Sequence, residues 1–292
     1  GRFMSWYFFA LLAFFLIGTQ RFLYKVAASH GLSPSRTTLS FMLTVALLSG
    51  FLYSLSPAPL TSPAWFGLFA LVNSASFVSA TLAHISSLRY LQAAIVFPVI
   101  RLNIVLVLLF STLVLSEHLS PAQWLGVGLS VLAFVLFSGP REGASEAAGS
   151  GRAKGWAQVG LAMVAGAAAS ISSKLGAEMG NLMAFIALSY ACSTLFSWFA
   201  HSVSPAEGEG AGRRPAAAVW LGVGIGLLNL AGFYCYLKAL ALGPLAVVAS
   251  INGMHFVVAV GLSALFYRER PSRAVLAGLG VTAVALVLLR GF

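Results

Sequence analysis

Apolar residues run along this chain in blocks long enough to cross a hydrocarbon core, which takes about 20 helical residues, and short polar stretches separate the blocks. The pattern predicts ten membrane-spanning helices, at 4–27, 37–55, 64–87, 91–115, 121–138, 156–178, 183–201, 217–241, 244–267 and 272–290. Turn chemistry marks the joints: His30-Gly31-Leu32-Ser33-Pro34, then Ser56-Pro57-Ala58-Pro59, then Ser120-Pro121. Ser120 is placed to cap a helix whose first turn tolerates Pro121, and Gln123 is spaced to reach back as in a capping box. Ser272 takes the same capping position near the end of the chain.

The second pattern is a duplication. Residues 88–138 align without a gap to residues 240–290. Ser111, Leu113, Glu117, Ser120, Ala122, Gly126 and Gly128 recur as Ser263, Leu265, Glu269, Ser272, Ala274, Gly278 and Gly280. Leucine matches mean little in so apolar a chain, but matched Glu, Ser and paired Gly are specific. The fronts of the halves correspond too, since Lys25 and Lys174 each stand six residues before a glycine, Gly31 and Gly180. The expected organisation is a first five-helix repeat at 4–138, a Gly/Ala/Ser-rich linker at 139–155 and a second repeat at 156–290. Five is odd, so two such units enter the membrane in opposite senses. The predicted fold is an all-α integral membrane protein of ten transmembrane helices in two inverted five-helix repeats, with both termini on the same side.

Composition narrows the class. At 59% hydrophobic and 8% charged residues, with a mean hydropathy of +0.92, the chain is far from a soluble domain, whose charged share is about a quarter. Asp is absent, and most of the Glu lie in connections, Glu142 and Glu146 in one and Glu207 and Glu209 in another. The net charge of +10 is scattered between apolar runs. It suits anionic lipid headgroups rather than nucleic acid. Cys192 and Cys235 fall inside apolar segments, which argues against a disulfide. The first apolar run has no A-x-A-like end, so no cleavable signal is expected. There is no HExxH pair and no Walker A loop. An enzyme is therefore not expected, nor a metal or a cofactor.

Three features now resemble the EamA-like branch of the drug/metabolite transporter superfamily. They are Gly18 seven residues before Lys25, the turn Lys238-Ala239-Leu240-Ala241-Leu242-Gly243-Pro244, and a helix-end Glu followed nine residues later by Gly, as Glu117–Gly126 and Glu269–Gly278. The resemblance implies a central cavity lined mainly by segments 1, 3, 4, 6, 8 and 9, and transport of a metabolite, often outward. This chain departs from that pattern by carrying Arg21 and Arg101 where apolar or small residues are usual.

Ionisable groups at membrane depth are expensive and mark functional sites by default. Arg101 lies about 15 Å into its helix at 1.5 Å per residue, and Pro98 one turn earlier removes a backbone donor. Its guanidinium is suited to gripping a carboxylate or phosphate; bonding to helix carbonyls is the structural alternative. Asn103 aligns with His255, and Asn252 lies one turn before it. His255 can bind substrate, carry a proton or bond across helices. Arg21 and Lys25 share a face of the first helix, with Lys25 close enough to its end to snorkel. The substrate-binding candidates are Arg101, Asn103, His255, Asn252, Arg21 and Lys25, with His255 also the candidate for proton coupling. Asn73 and Asn229 read as interhelical hydrogen bonds, Lys174 and Lys238 as helix-end snorkellers, and Glu117 and Glu269 as structural groups where helices start.

Cations outnumber anions in the bundle, which favours a small anionic or zwitterionic metabolite such as an amino acid or organic acid. The expected mechanism is alternating access at a site between the repeats. A flippase for a lipid-linked headgroup, or broad-specificity drug or metabolite efflux, is the alternative on the same fold. Small-molecule substrate and membrane lipids are the expected partners, in a bacterial inner (plasma) membrane. Positive charge gathers after the odd-numbered segments, which by the positive-inside rule puts both termini outside; the resemblance implies cytoplasmic termini.

Overall fold

Every described element is a helix. The computed structural model describes residues 2–57, 60, 62–88, 90–91, 93–137, 151–203, 215–268 and 272–291. Arg89, residues 139–150 of the expected linker, the loop at 204–214, Glu269 and Arg270 lie outside them. The helices run α1 (Arg2–Ser29), α2 (Pro34–Leu55), α3 (Pro63–Ser87), α4 (Ala93–Arg101), α5 (Asn103–Leu113), α6 (Pro121–Phe137), α7 (Arg152–Glu178), α8 (Leu182–Val203), α9 (Pro215–Leu242), α10 (Leu245–Gly253), α11 (Phe256–Tyr267) and α12 (Arg273–Leu289). Among the described residues, seven runs are long and apolar enough to cross a membrane, and shorter apolar helices lie at Pro121–Phe137, Leu182–Phe196 and Arg273–Leu289. α7 begins at Arg152, inside the stretch expected as linker.

The helix starts follow the local chemistry. Ser120 Oγ accepts from Gln123 N at 3.3 Å while Gln123 Oε1 accepts from Ser120 N at 3.0 Å, the reciprocal capping box that the spacing predicts. Ser272 caps α12 by accepting from Val275 N at 3.3 Å. Large apolar side chains left on the outside, such as Leu47, Leu113 and Leu265, suit lipid contact. The exposed Trp65, Trp124, Trp156, Trp198 and Trp220 all stand within about two turns of helix ends, where interfacial aromatics belong.

Packing follows the duplication. α1 packs along α9 and α7 along α3; α2 packs on α9 and α8 on α3; α6 and α12 pair with each other. Exchanging the two halves maps this set onto itself.

The fourth and ninth segments, expected as continuous helices, are both broken. α4 ends at Arg101 and α5 starts at Asn103; α10 ends at Gly253 and α11 starts after His255. These breaks occupy the same register of the duplication. In the first, Leu102 N reaches Val99 O at 3.1 Å and Val105 N reaches Leu102 O at 2.9 Å. In the second, His255 N reaches Asn252 O at 3.2 Å and Val258 N reaches His255 O at 3.1 Å. Both are 3₁₀-type turns, which recur where helices hinge. Pro98 precedes only the first of them, so proline is not the shared cause.

Glycine lets the first helix of each half close on the other half's break. A Cβ on Gly18 of α1 would lie 2.5 Å from the His255 carbonyl oxygen and 2.5 Å from Val258 Cβ. A Cβ on Gly166 of α7 would lie 2.9 Å from Asn103 Nδ2. Asn103 and His255 are repeat equivalents, so the two contacts correspond.

One end of the bundle is tied by charge. Lys174, 5% exposed, is not a snorkelling side chain. Its Nζ donates to Leu240 O at 2.7 Å and Gly243 O at 2.9 Å, and pairs at 3.1 Å with Glu117 Oε1 and at 3.1 Å with Glu178 Oε1. Glu117 Oε2 in turn accepts from Leu245 N at 2.7 Å and from Ser111 Oγ at 2.5 Å. Glu117 therefore caps α10, in the other half of the chain, rather than the helix it precedes. The ammonium meets the carbonyl end of α9 and the carboxylate the amide end of α10, each matched to the helix dipole it touches.

Two outcomes follow from this packing. Glu117→Ala removes the cap and leaves Lys174 with Glu178 alone, so thermal melting in detergent should show a loss of about 1–3 kcal/mol; Glu117→Gln, which keeps an acceptor for Leu245, should lose less. An unchanged melting curve for the alanine variant would refute the tie. Gly18→Ala should cost about 1–3 kcal/mol through overpacking against backbone that cannot retreat, whereas Gly50→Ala, with open space around it, should be close to neutral in the same measurement.

Candidate functional site

The two breaks meet at the centre of the bundle and enclose a cavity of about 100 Å³. Its wall is assembled from both halves. α4 ends on Arg101 and α5 begins with Asn103, while Asn252 and His255 flank the second break. Ser170 from α7, Tyr236 from α9 and Phe134 from α6 complete much of the rest. A helix that stops at mid-span aims its last side chains along the gap it leaves, which is why a broken span builds a site that an unbroken one covers.

Arg101 is half-buried, with its guanidinium carbon 5.3 Å from the Phe134 ring centroid. Gly253, its repeat equivalent, packs on the same ring: a Cβ there would lie 3.1 Å from Phe134 Cζ. One aromatic residue thus backs both breaks. Neither Arg101 nor Arg21 pairs with a carboxylate among the described residues, where Glu117 and Glu178 are engaged by Lys174.

His255 is buried and oriented from two sides. Arg21 Nε donates to His255 Nε2 at 3.4 Å, and Nδ1 of the ring bonds the carbonyl of Asn252. With Nε2 accepting, the proton of a neutral ring sits on Nδ1 and is donated to that carbonyl. Arg21 itself is exposed, its guanidinium carbon 5.8 Å from the Tyr24 ring centroid. The Asn252 side-chain oxygen is buried with no hydrogen-bond partner among the described residues. Unmet acceptors of this kind are costly and call for an explanation.

Of the residues singled out from sequence, Arg101, Asn103, Asn252 and His255 line one cavity, and Arg21 reaches it through His255. Lys25 does not line it; one turn further along α1, its ammonium stands 5.1 Å from the Tyr267 ring centroid at the bundle's end. Asn73 and Asn229 serve between helices, as expected. Asn73 Nδ2 donates to Ala169 O at 2.9 Å and Ser173 Oγ at 2.8 Å; Asn229 Nδ2 donates to Gln20 Oε1 at 3.0 Å while Asn229 Oδ1 accepts from the Tyr190 hydroxyl. Sequence reasoning missed Ser170, Tyr236 and Phe134, which carry no signal separating them from packing residues.

The bundle is packed unevenly along its length. α10 buries every residue from Leu245 to Ile251, whereas α11, across the break, buries Ser263 alone. The buried end is the one tied by Lys174 and Glu117.

Comparison with curated proteins gives no match. Among solved structures 29 chains match; one crystal structure superposes with a TM-score of 0.72 at 19% identity, covering 98% of this chain and 96% of that chain. That likeness concerns the fold. The model of the EamA-like transporter family matches residues 4–139 and again residues 154–291, the two halves that the duplication marks out. The chain belongs to the EamA-like transporter family and is a membrane transporter of the drug/metabolite type.

Proposed function

We propose that this protein is a secondary transporter of a small anionic or zwitterionic metabolite, bound at the central cavity between two inverted five-helix repeats and carried by alternating access. The observation behind this reading is Arg101. A guanidinium at the end of a broken span, facing a small cavity and meeting no carboxylate among the described residues, is a charge whose burial is best offset by a bound anion. Asn103, Asn252 and Ser170 add neutral hydrogen-bonding groups around it.

The uneven packing supports alternating access. On the side held by Lys174 and Glu117, α10 is buried from Leu245 to Ile251, and the exposed Arg21 stands on the side where α11 is loosely covered. Uneven packing of this kind suits a carrier that opens one side at a time. Rocking one half against the other about the paired breaks would reverse it. The polypeptide then has both termini on one face, in a bacterial inner membrane.

His255 acts in this reading as the positioning partner of Arg21. A second proton on the ring would end its acceptance from Arg21 and add a positive charge to a cavity wall that already carries Arg101.

In proteoliposomes, Arg101→Ala should raise the half-saturation concentration for an anionic substrate by roughly tenfold to a hundredfold, corresponding to a charged hydrogen bond of about 1.5–3 kcal/mol. Arg101→Lys should recover part of that loss, because charge returns without the planar fork. Wild-type affinity in the alanine variant would exclude the central site. The transport rate should be flat between about pH 5 and 8, the range in which an ordinary histidine titrates. A step in that range that disappears in His255→Gln would make His255 the proton carrier instead.

A further inference from the structure

We infer that the substrate is a compact dianion carrying a hydroxyl group, a hydroxylated dicarboxylate or a phosphate monoester, rather than a zwitterion or a monoanion. The inference rests on the central transport site and names its substrate class.

The first ground is the count of charges. Two guanidinium groups stand at the site from different helices: Arg101 of α4 lines the cavity, and Arg21 of α1, which does not line it, is bonded through Nε to the ring of His255, which does. The Arg101 guanidinium carbon stands 5.3 Å from the Phe134 ring centroid. Neither group has a carboxylate partner among the described residues, and no acidic residue lines the cavity. A zwitterion would bring no net charge to this site and a monoanion would balance only one guanidinium. A dianion balances both, and planar forks are the best match to carboxylate or phosphate oxygens.

The second ground is independent of charge. The buried side-chain oxygen of Asn252 has no donor among the described residues, and its residue lines the same cavity. A fully ionised anion without a hydroxyl does not satisfy it, since carboxylate and phosphate oxygens only accept. A ligand hydroxyl supplies the donor without cancelling the negative charge as an ammonium would. The third ground is size. A cavity of about 100 Å³ restricts the ligand to a small skeleton.

The test is exchange in proteoliposomes at about pH 7.5, where a phosphate monoester is mostly doubly ionised, with five probes offered separately. L-malate and glycerol 3-phosphate are hydroxylated dianions, succinate is a dianion without a hydroxyl, lactate is a hydroxylated monoanion and alanine a zwitterion. At least one of the first two should exchange about tenfold faster than lactate or alanine; which one does so identifies the source of the charge. Arg21→Gln should shrink that dianion-over-monoanion ratio several-fold, and Asn252→Leu should abolish the preference for malate over succinate. Melting curves and gel filtration of each variant, with Arg101→Lys as a charge-retaining control, show whether a loss reflects misfolding. If lactate or alanine exchanges as fast as both hydroxylated dianions in an Arg101-dependent way, the dianion inference fails and the central site stands. If neither hydroxylated dianion moves in an Arg101-dependent way, the inference is overturned. If no probe of any class depends on Arg101, the central site falls with it.

Discussion

Hydrocarbon offers no hydrogen bonds, and the structure of this protein is organised around that fact. A helix crossing lipid keeps its backbone satisfied only while it remains unbroken, so a break must be compensated by nearby protein or by a cavity. Here two spans break in the same register, and both breaks face one cavity, where 3₁₀-type turns take up the disrupted backbone groups. Once the breaks are central, the charges at their ends are central too. Arg101 is tolerable at membrane depth because it closes α4 beside a polar cavity and rests on Phe134, away from lipid.

Close approach and charge then hold the halves around those breaks. Gly18 removes the side chain that would strike the His255 carbonyl, and Gly166 makes room for Asn103. At the tied end Lys174 binds the last carbonyls of α9 while Glu117, pinned by Lys174, caps the first amide of α10. The turn at Gly243-Pro244 between those helices lies within this cluster, so a movement of α10 must also loosen it. Burying a lone ammonium would be prohibitive; an ammonium shared by two carboxylates and two carbonyls is not.

Much of the fold was legible in the chain. Blocks of apolar residues gave the helices to within a few residues, because length and composition alone decide whether a segment can cross a membrane. Local spacing also gave the capping box at Ser120 and Gln123 and the cap at Ser272, since both partners lie within one helical turn. The breaks were only partly legible: Pro98 hinted at the first, and Asn252-Gly253 at the end of α10 marks the second, but a glycine inside a long apolar run is compatible with a continuous helix. Lys174 was misread as a snorkeller, and the partners of Glu117, read only as a structural group, went unseen for a related reason. Each stands near a helix end, where snorkelling and local capping are the ordinary roles, and nothing nearby in sequence announces a partner in the opposite half.

The same division runs through the site. Sequence by itself determined that the chain is a duplicated set of apolar helices and that Arg101, Asn103, Asn252 and His255 fall within its apolar runs, because register and periodicity are properties of the chain alone. Only the tertiary structure decided that these four share one cavity, that Arg21 is bonded to its wall at His255 while Lys25 turns instead toward Tyr267, and that the Asn252 oxygen is without a donor among the described residues. The reason is physical. A hydrogen bond or an enclosed space depends on groups brought within a few ångströms, and here those groups come from helices separated by more than a hundred residues of chain.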